Sequence, residues 1–440
     1  MTNDQPISGA EGRDTPAKGA AWSLSLLLGI NLFNYIDRQV LAAVEPDVRR
    51  ALLSPLDPNP RGKMGWLSTA FIVTYMLVAP LFGWLAERMS RWWLVAIGVA
   101  IWSVASGASG WAGTFTLLLI TRCFVGVGEA AYGPVAPTII ADLYPIRQRG
   151  LVLSFFYLAI PVGGALGYAL GGQVAESSLG WRWAFYLVLP PGLLLAGLCL
   201  FMRDVRSKPD AAVPRRKPGI GQYAVLLRTP SYVLDCAGMA AMTFAIGGIG
   251  YFMPDYLELR HVAGLGKISP RLLFGVITAV GGLLATIAGG LAGDALRKRF
   301  PGSYFLVSAG GLLAGAPLLA LMLFTPFPFA WIWLFLCVFC LFFNTGPSNT
   351  ILANVTHPAI RASAFAINIL VIHALGDAIS PPVIGHISDW LHRAGHTEVW
   401  SMNAAFMLIS STMVIGGLFW FWGARYLEKD TAAAPTRLGE

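Results

Sequence analysis

Four ionisable residues interrupt long apolar runs: Asp37 and Arg38 in NLFNYIDRQV, and Arg122 and Glu129 in RCFVGVGE. A guanidinium can grip a phosphate or carboxylate through paired hydrogen bonds. A carboxyl caught between burial, which favours its neutral form, and a nearby cation, which favours its charge, can titrate near working pH. Arg122 and Glu129 are seven residues apart, two helical turns, so they share a face with Gly126 between them and Gly133 one turn on. Asn31, Asn34 and Arg38 repeat that spacing. Arg122, Arg38 and Asn34 are therefore expected to receive an anion, and Asp37 and Glu129 to carry protons. A permanent ion pair that fixes helix register accounts for the same residues. A second candidate relay is His373 with Asp377, four apart on one face, although a structural hydrogen bond explains that spacing equally well.

The elements that must position these groups follow from composition. Of 440 residues, 56% are hydrophobic and only 12% charged, too apolar for one water-soluble core. The apolar residues recur in windows of about 20, the length that crosses a hydrocarbon layer. Twelve spans are expected at 21–45, 64–86, 92–111, 114–141, 149–175, 183–203, 231–257, 270–296, 303–324, 329–355, 361–388 and 400–424. Charges inside such spans are costly, so each retained one is a candidate for chemistry.

Lys and Arg fall mainly in alternate loops. Arg88, Arg91, Arg203, Arg206, Lys208, Arg215, Arg216, Lys217, Arg297, Lys298 and Arg299 are on one side, and a smaller set including Arg49, Arg50, Arg61 and Lys63 is on the other. The bias sets both termini in the cytoplasm and explains the net charge of +8 without a nucleic-acid partner. Residues 1–20, with Asp4, Glu11 and Asp14, form an expected disordered tail; a basic linker at 204–230 separates bundles at 21–203 and 231–424; a second tail covers 425–440.

Glu87, Arg88, Arg91, Asp294 and Arg297 close spans 2 and 8 and are too shallow for a substrate. A gate that pairs on closing and parts on opening is expected there, with positive-inside topology as the plain alternative. Phe33, Tyr75 and Tyr157 lie deeper and offer apolar walls, as core aromatics also would. Asn344, Ser348 and Asn349 in span 10 can line a cavity or act as packing glue. The five cysteines all lie in apolar windows, and the Cys337-x-x-Cys340 pair lacks polar ligands. No metal or cofactor site is expected, and no nucleotide-binding loop or hydrolase motif is present, so neither an enzyme nor an ATP-driven pump is indicated.

Two segments repeat: Gly83 to Arg91, and Gly290 to Lys298. In each, glycine precedes an acid by four residues and a cation follows that acid. This pattern, with twelve spans and a basic central loop, resembles the major facilitator superfamily. Glu87 stands where that family usually has Asp, and Ser90 where it usually has Gly. Within the superfamily, Asn34–Arg38, Trp66–Arg91, Arg122–Asp142 and Phe156–Tyr168 resemble the spinster family of lysolipid and sphingosine-phosphate transporters. In Phe156–Tyr168, Pro161, Gly163, Gly164 and Gly167 resemble a kink-and-packing motif of antiporters.

The resemblance implies an all-α polytopic membrane protein with twelve helices in two six-helix bundles. It implies alternating access coupled to protons, for a lysophospholipid or sphingoid phosphate, with a small organic anion as the alternative. The sparse intramembrane charge of the second half leans toward lipid. A monomer among membrane lipids, in a bacterial plasma membrane, is expected.

Overall fold

A computed structural model describes residues 15–205, 220–266 and 268–437. The expected tail acids Asp4, Glu11 and Asp14, the linker cations Arg206, Lys208, Arg215, Arg216 and Lys217, and Lys267 lie outside the described residues.

Helices fill the described chain. The amino-terminal half holds α1 (Ala20–Ala43), α2 (Glu45–Leu52), α3 (Pro60–Ala86), α4 (Arg91–Gly110), α5 (Phe115–Tyr132), α6 (Ala136–Leu143), α7 (Ile146–Tyr157), α8 (Ala159–Glu176) and α9 (Trp181–Cys199). The carboxyl-terminal half holds α10 (Ile220–Leu227), α11 (Pro230–Leu259), α12 (Pro270–Arg297), α13 (Ser303–Phe324), α14 (Ala330–Phe342), α15 (Thr345–Val355), α16 (Arg361–Ile372), α17 (Ser380–Arg393), α18 (Glu398–Gly423) and α19 (Leu427–Ala433).

Among the described residues, 11 helical stretches are long and apolar enough to cross a membrane. α1 takes the place of the first expected span, ending two residues short of the expected limit. Their outer surfaces carry Leu77, Leu81, Trp84, Leu291 and Phe421 exposed, a surface suited to lipid rather than water. The chain is an all-α polytopic membrane protein.

Spans built from two pieces break where the backbone loses a donor or gains freedom. α5 gives way to α6 at Gly133-Pro134, and α7 to α8 just before Pro161. Between α16 and α17, His373–Asp377 forms a π turn in which Ala378 N–H bonds the His373 carbonyl. Pro381 and Pro382 follow, and neither has an N–H to close an ordinary helical turn. Thr114, Ser269 and Thr397 cap α5, α12 and α18 with their side chains.

The chain divides into two compact units, one of Met1–Val44 with Ala70–Arg216 and the other of Glu45–Thr69 with Lys217–Glu440. In this division Glu45–Thr69, part of the expected bundle at 21–203, groups with the second unit, because its charges and glycines pack onto the carboxyl-terminal helices. In the first unit α4 packs on α9 and α5, and α1 on α8; in the second α13 packs on α18 and α14, and α11 on the π turn and α16. These pairings join corresponding spans within each of the two halves, as the sequence repeat anticipates.

Small residues set these packings. A Cβ at Gly163 would stand 2.8 Å from the Leu32 carbonyl, one at Gly167 2.6 Å from that of Ile36, and one at Gly171 2.7 Å from Ala43 Cβ. The 163–171 stripe thus brings α8 against α1, in the manner of small-residue helix seams.

Candidate functional site

The first unit gathers most of the charges singled out in the sequence. Gly126 lets α5 approach α3 so closely that a Cβ there would lie 2.4 Å from the Phe71 carbonyl, and a Cβ at Gly133 would lie 2.5 Å from Tyr75 Oη. The backbone of α3 thus lies directly against this glycine stripe. That approach delivers Phe71 and Tyr75 to Arg38. The guanidinium carbon sits 5.2 Å from the Tyr35 ring, 5.0 Å from Phe71 and 5.8 Å from Tyr75, a cation surrounded by three aromatic rings.

Glu129 completes this cage. Its Oε2 accepts from Arg38 Nε at 2.7 Å and lies 2.5 Å from Nη2. The carboxylate is buried, at 1% exposure, while the Arg38 side chain is 27% exposed. Glu129 therefore pairs with Arg38 rather than serving the Arg122 face it shares.

Arg122 is 3% exposed; it donates from Nη2 to Ser109 Oγ at 2.6 Å and lies over the Phe185 ring. Ser103, Ser106 and Ser109 rise along α4 at intervals of three. The Ser106 hydroxyl donates to Asp37 Oδ1, and Ser109 shares a hydrogen bond with Thr121 at 2.8 Å. Asp37 and Phe33 border a small void with Trp102, Ser103, Ser106, Val188 and Gly192. Asn31 donates to the Phe156 carbonyl and Asn34 is buried. Tyr157 is exposed and stacks edge-on against Phe156.

The expected gate residues divide. Arg91 is fastened within its own unit: it meets Asp142 at 2.7 Å and Asp204 at 2.8 Å and donates to the Val205 carbonyl. Glu87 and Arg88 are exposed, with Arg88 stacked 3.9 Å from the Trp84 ring centre. Asp294 accepts from Tyr304 Oη at 2.7 Å, and Arg297 lies over the same ring. In the second unit His373 Nδ1 lies 2.9 Å from Asp377 Oδ1 inside the π turn, both partly exposed. Asn344 and Ser348 are buried and bond backbone carbonyls, as packing residues do, while Asn349 is exposed. Among the described residues no group of His, Cys, Asp and Glu is arranged to hold a metal ion.

Sequence reasoning missed an extended polar network among the described residues. In the second unit Arg49 bonds Glu45 at 3.1 Å and also Asp255; Arg61 bonds Asp255 at 2.7 Å and Glu398 at 2.8 Å. Around them Arg50 joins Asp47 and Glu258, and Arg271 joins the same two acids. Gly62 N–H donates to Asp389 at 2.8 Å, and Tyr251 donates to the Met64 carbonyl at 2.6 Å. The arginines counted as loop charges are thus structural partners. The signal present was the Glu45–Arg49 spacing of four, a helical ion pair. Asp235, wholly buried and bonded by Trp420 Nε1, is a further acid that the second half was not expected to hold.

The profile of the Major Facilitator Superfamily matches residues 27–381. Protein spinster homolog 1 of Homo sapiens is 36% identical over 443 residues, covering 94% of this chain and 82% of the relative. The Xenopus laevis protein of that name is 34% identical over 434 residues, covering 93% and 81%. The chain belongs to the spinster family of the major facilitator superfamily. Among solved structures, a bacterial homolog of the human lysosomal transporter Spinster, inward-facing and unoccupied, is similar with a TM-score of 0.81 at 22% identity, covering 93% of this chain and 98% of that one. A D-xylose-proton symporter gives 0.69 at 20% identity, covering 89% and 96%. The spinster-like chain is a membrane transporter, and its family and fold neighbours are transporters rather than enzymes.

Proposed function

We propose that this spinster-like protein is a proton-coupled secondary transporter that moves a lipid-like amphiphile with an anionic head, a lysophospholipid or sphingoid phosphate, by alternating access. The observation that carries the reading is the Arg38–Glu129 pair inside three aromatic rings. An arriving phosphate competes with Glu129 for the Arg38 fork, and a displaced, buried carboxylate is relieved by taking a proton. The rings of Tyr35, Phe71 and Tyr75 give apolar surface to the chain next to the head, with Phe33 and Tyr157 as further walls. Substrate and proton thus exchange at one cation.

Arg122, the more buried guanidinium, then acts from behind the site with Ser109, and Asp37, held by Ser106, is a second carboxyl available to protons. Asn34 borders the same face of α1. His373 and Asp377 are proposed as a relay in the second unit, and Glu87, Arg88, Arg91, Asp294 and Arg297 as residues of the cytoplasmic gate. Both termini are placed in the cytoplasm of a bacterial plasma membrane, and the protein acts as a monomer without cofactor or nucleic acid.

The test is uptake into proteoliposomes under an imposed pH gradient, with a lysophospholipid and a small organic anion as parallel substrates. Wild type is expected to accumulate the lysolipid in a gradient-dependent way, and Glu129→Gln to lose that dependence while remaining assembled. Gradient-driven uptake of the small anion alone makes the protein an organic-anion symporter. Wild-type gradient dependence in Glu129→Gln removes Glu129 from coupling.

A further inference from the structure

The ion-pair lattice of the second unit contains more buried acid than buried base. Glu45, Asp255 and Asp389 are all within 3% of full burial, and they face the guanidinium groups of Arg49 and Arg61. Asp255 is bonded by both arginines, and Asp389 takes the Gly62 N–H. Glu45 is the least compensated. Its Oε1 accepts one bond from Arg49 Nε at 3.1 Å, and its buried Oε2 has no hydrogen-bond partner. An ionised carboxylate with an orphaned oxygen at full burial carries a desolvation cost that a proton removes.

The charged groups acting on this carboxyl are Arg49 of α2, Arg61 of α3 and Asp255 of α11. Around them are Asp389 of α17, which takes the Gly62 N–H, the His386 ring of α17 against Gly62, and Glu398 of α18, which bonds Arg61. Of these, Arg61 bonds Asp255 and Arg49 is shared between Asp255 and Glu45.

We propose that Glu45 is a proton-operated bolt: when protonated it fastens Glu45–Thr69 onto the carboxyl-terminal helices of the second unit, and when ionised it loosens that attachment. The proposal goes beyond the transport reading above, since proton binding here regulates a fastening rather than driving a substrate, and its test uses no substrate.

Burial pushes the Glu45 carboxyl up to about 7, with Asp255 adding to the rise and Arg49 opposing it, against an ordinary value of 4.5. The fastened state therefore binds the proton more tightly than the loosened one. Its extra stability is complete below the ordinary value and is lost as pH rises through about 7. Between pH 5.5 and pH 7.5 the attachment should weaken about tenfold or more. The topology expected from the Lys and Arg bias puts this lattice on the outer side, where it reads external pH.

The experiment follows hydrogen–deuterium exchange of peptides spanning 45–69 in the full-length protein in detergent, from pH 5.5 to 8 and corrected for intrinsic exchange. Maleimide labelling of Val48→Cys, buried in the native state, is measured beside it and normalised to Leu56→Cys, 92% exposed in the same segment. Wild type should show opening that increases about tenfold across this range, and Glu45→Gln, which keeps the shape of the protonated acid, should stay slow at every pH. A flat wild-type profile overturns the proposal. So does a Glu45→Gln protein that keeps the wild-type dependence, which would place the titrating group elsewhere. Because exchange in the unmutated protein is read directly, failure of either variant to fold leaves the wild-type profile as the deciding result. Loss of gradient-driven uptake with this profile intact would instead fail the transport reading alone.

Discussion

The Arg38–Glu129 pair permits a prediction whose size can be worked from its surroundings. With charge centres about 4 Å apart in an effective dielectric of ~20, the attraction is about 4 kcal/mol. Part of it offsets the desolvation of Glu129, and the partial exposure of Arg38 lowers it further, so a coupling of about 2 kcal/mol is expected. Arg38→Gln strands a fully buried carboxylate and should cost about 3–5 kcal/mol at neutral pH. Glu129→Gln leaves a cation that still has three aromatic faces and some access to solvent, and should cost less. The double variant should be no less stable than Arg38→Gln alone. The assay is a double-mutant cycle on reversible unfolding in mixed detergent micelles. Effects that add to within about 0.5 kcal/mol would refute the claim that these residues act as one unit.

Two further outcomes can be checked on the same material. Gly126→Ala inserts a methyl group against the Phe71 carbonyl and should lower stability by about 1–3 kcal/mol while moving Tyr75 away from Arg38, read by unfolding and by tyrosine fluorescence; an unaffected protein would remove the close approach of α3 and α5 as the source of the cage. Asp430→Ala removes an acid on α19 that accepts from Ser231 N–H at the start of α11 and also bonds Arg437; a loss of about 0.5–2 kcal/mol is expected, and a neutral result would leave α19 without an anchoring role.

How far the sequence reached depends on the kind of information each feature needs. Helix limits were legible because a span must be apolar for a set length: Pro270–Arg297 and Ser303–Phe324 start where hydropathy placed them. That Arg38, Arg122 and Glu129 lie within helices was legible from the apolar runs around them. The partner of each was not, because pairing depends on which helix packs closest, and Gly126 decided that in favour of α3 and hence of Arg38. Arg91 shows the same limit, since Asp142 and Asp204 reach it only through the packing of the first unit. Asp255 and Glu398 sit at helix ends where hydropathy tolerates charge, so nothing in their local sequence marked them as partners of Arg61.

The π turn at His373–Asp377 also fixes a length of chain. A residue removed from it, ahead of two prolines that cannot close ordinary helical turns, would shift the phase of α17 against α16 by up to about 100°. Asp389 would leave the Gly62 N–H, and the backbone at Pro381–Pro382, which lies where a Cβ on Gly65 would be 2.5 Å away, would no longer face that glycine. The wide turn is therefore a phase corrector. It lets one continuous span present the His373–Asp377 pair on one bearing and the face that receives Glu45–Thr69 on another, and a single-residue deletion there should be far less tolerated than a substitution at any of its five positions.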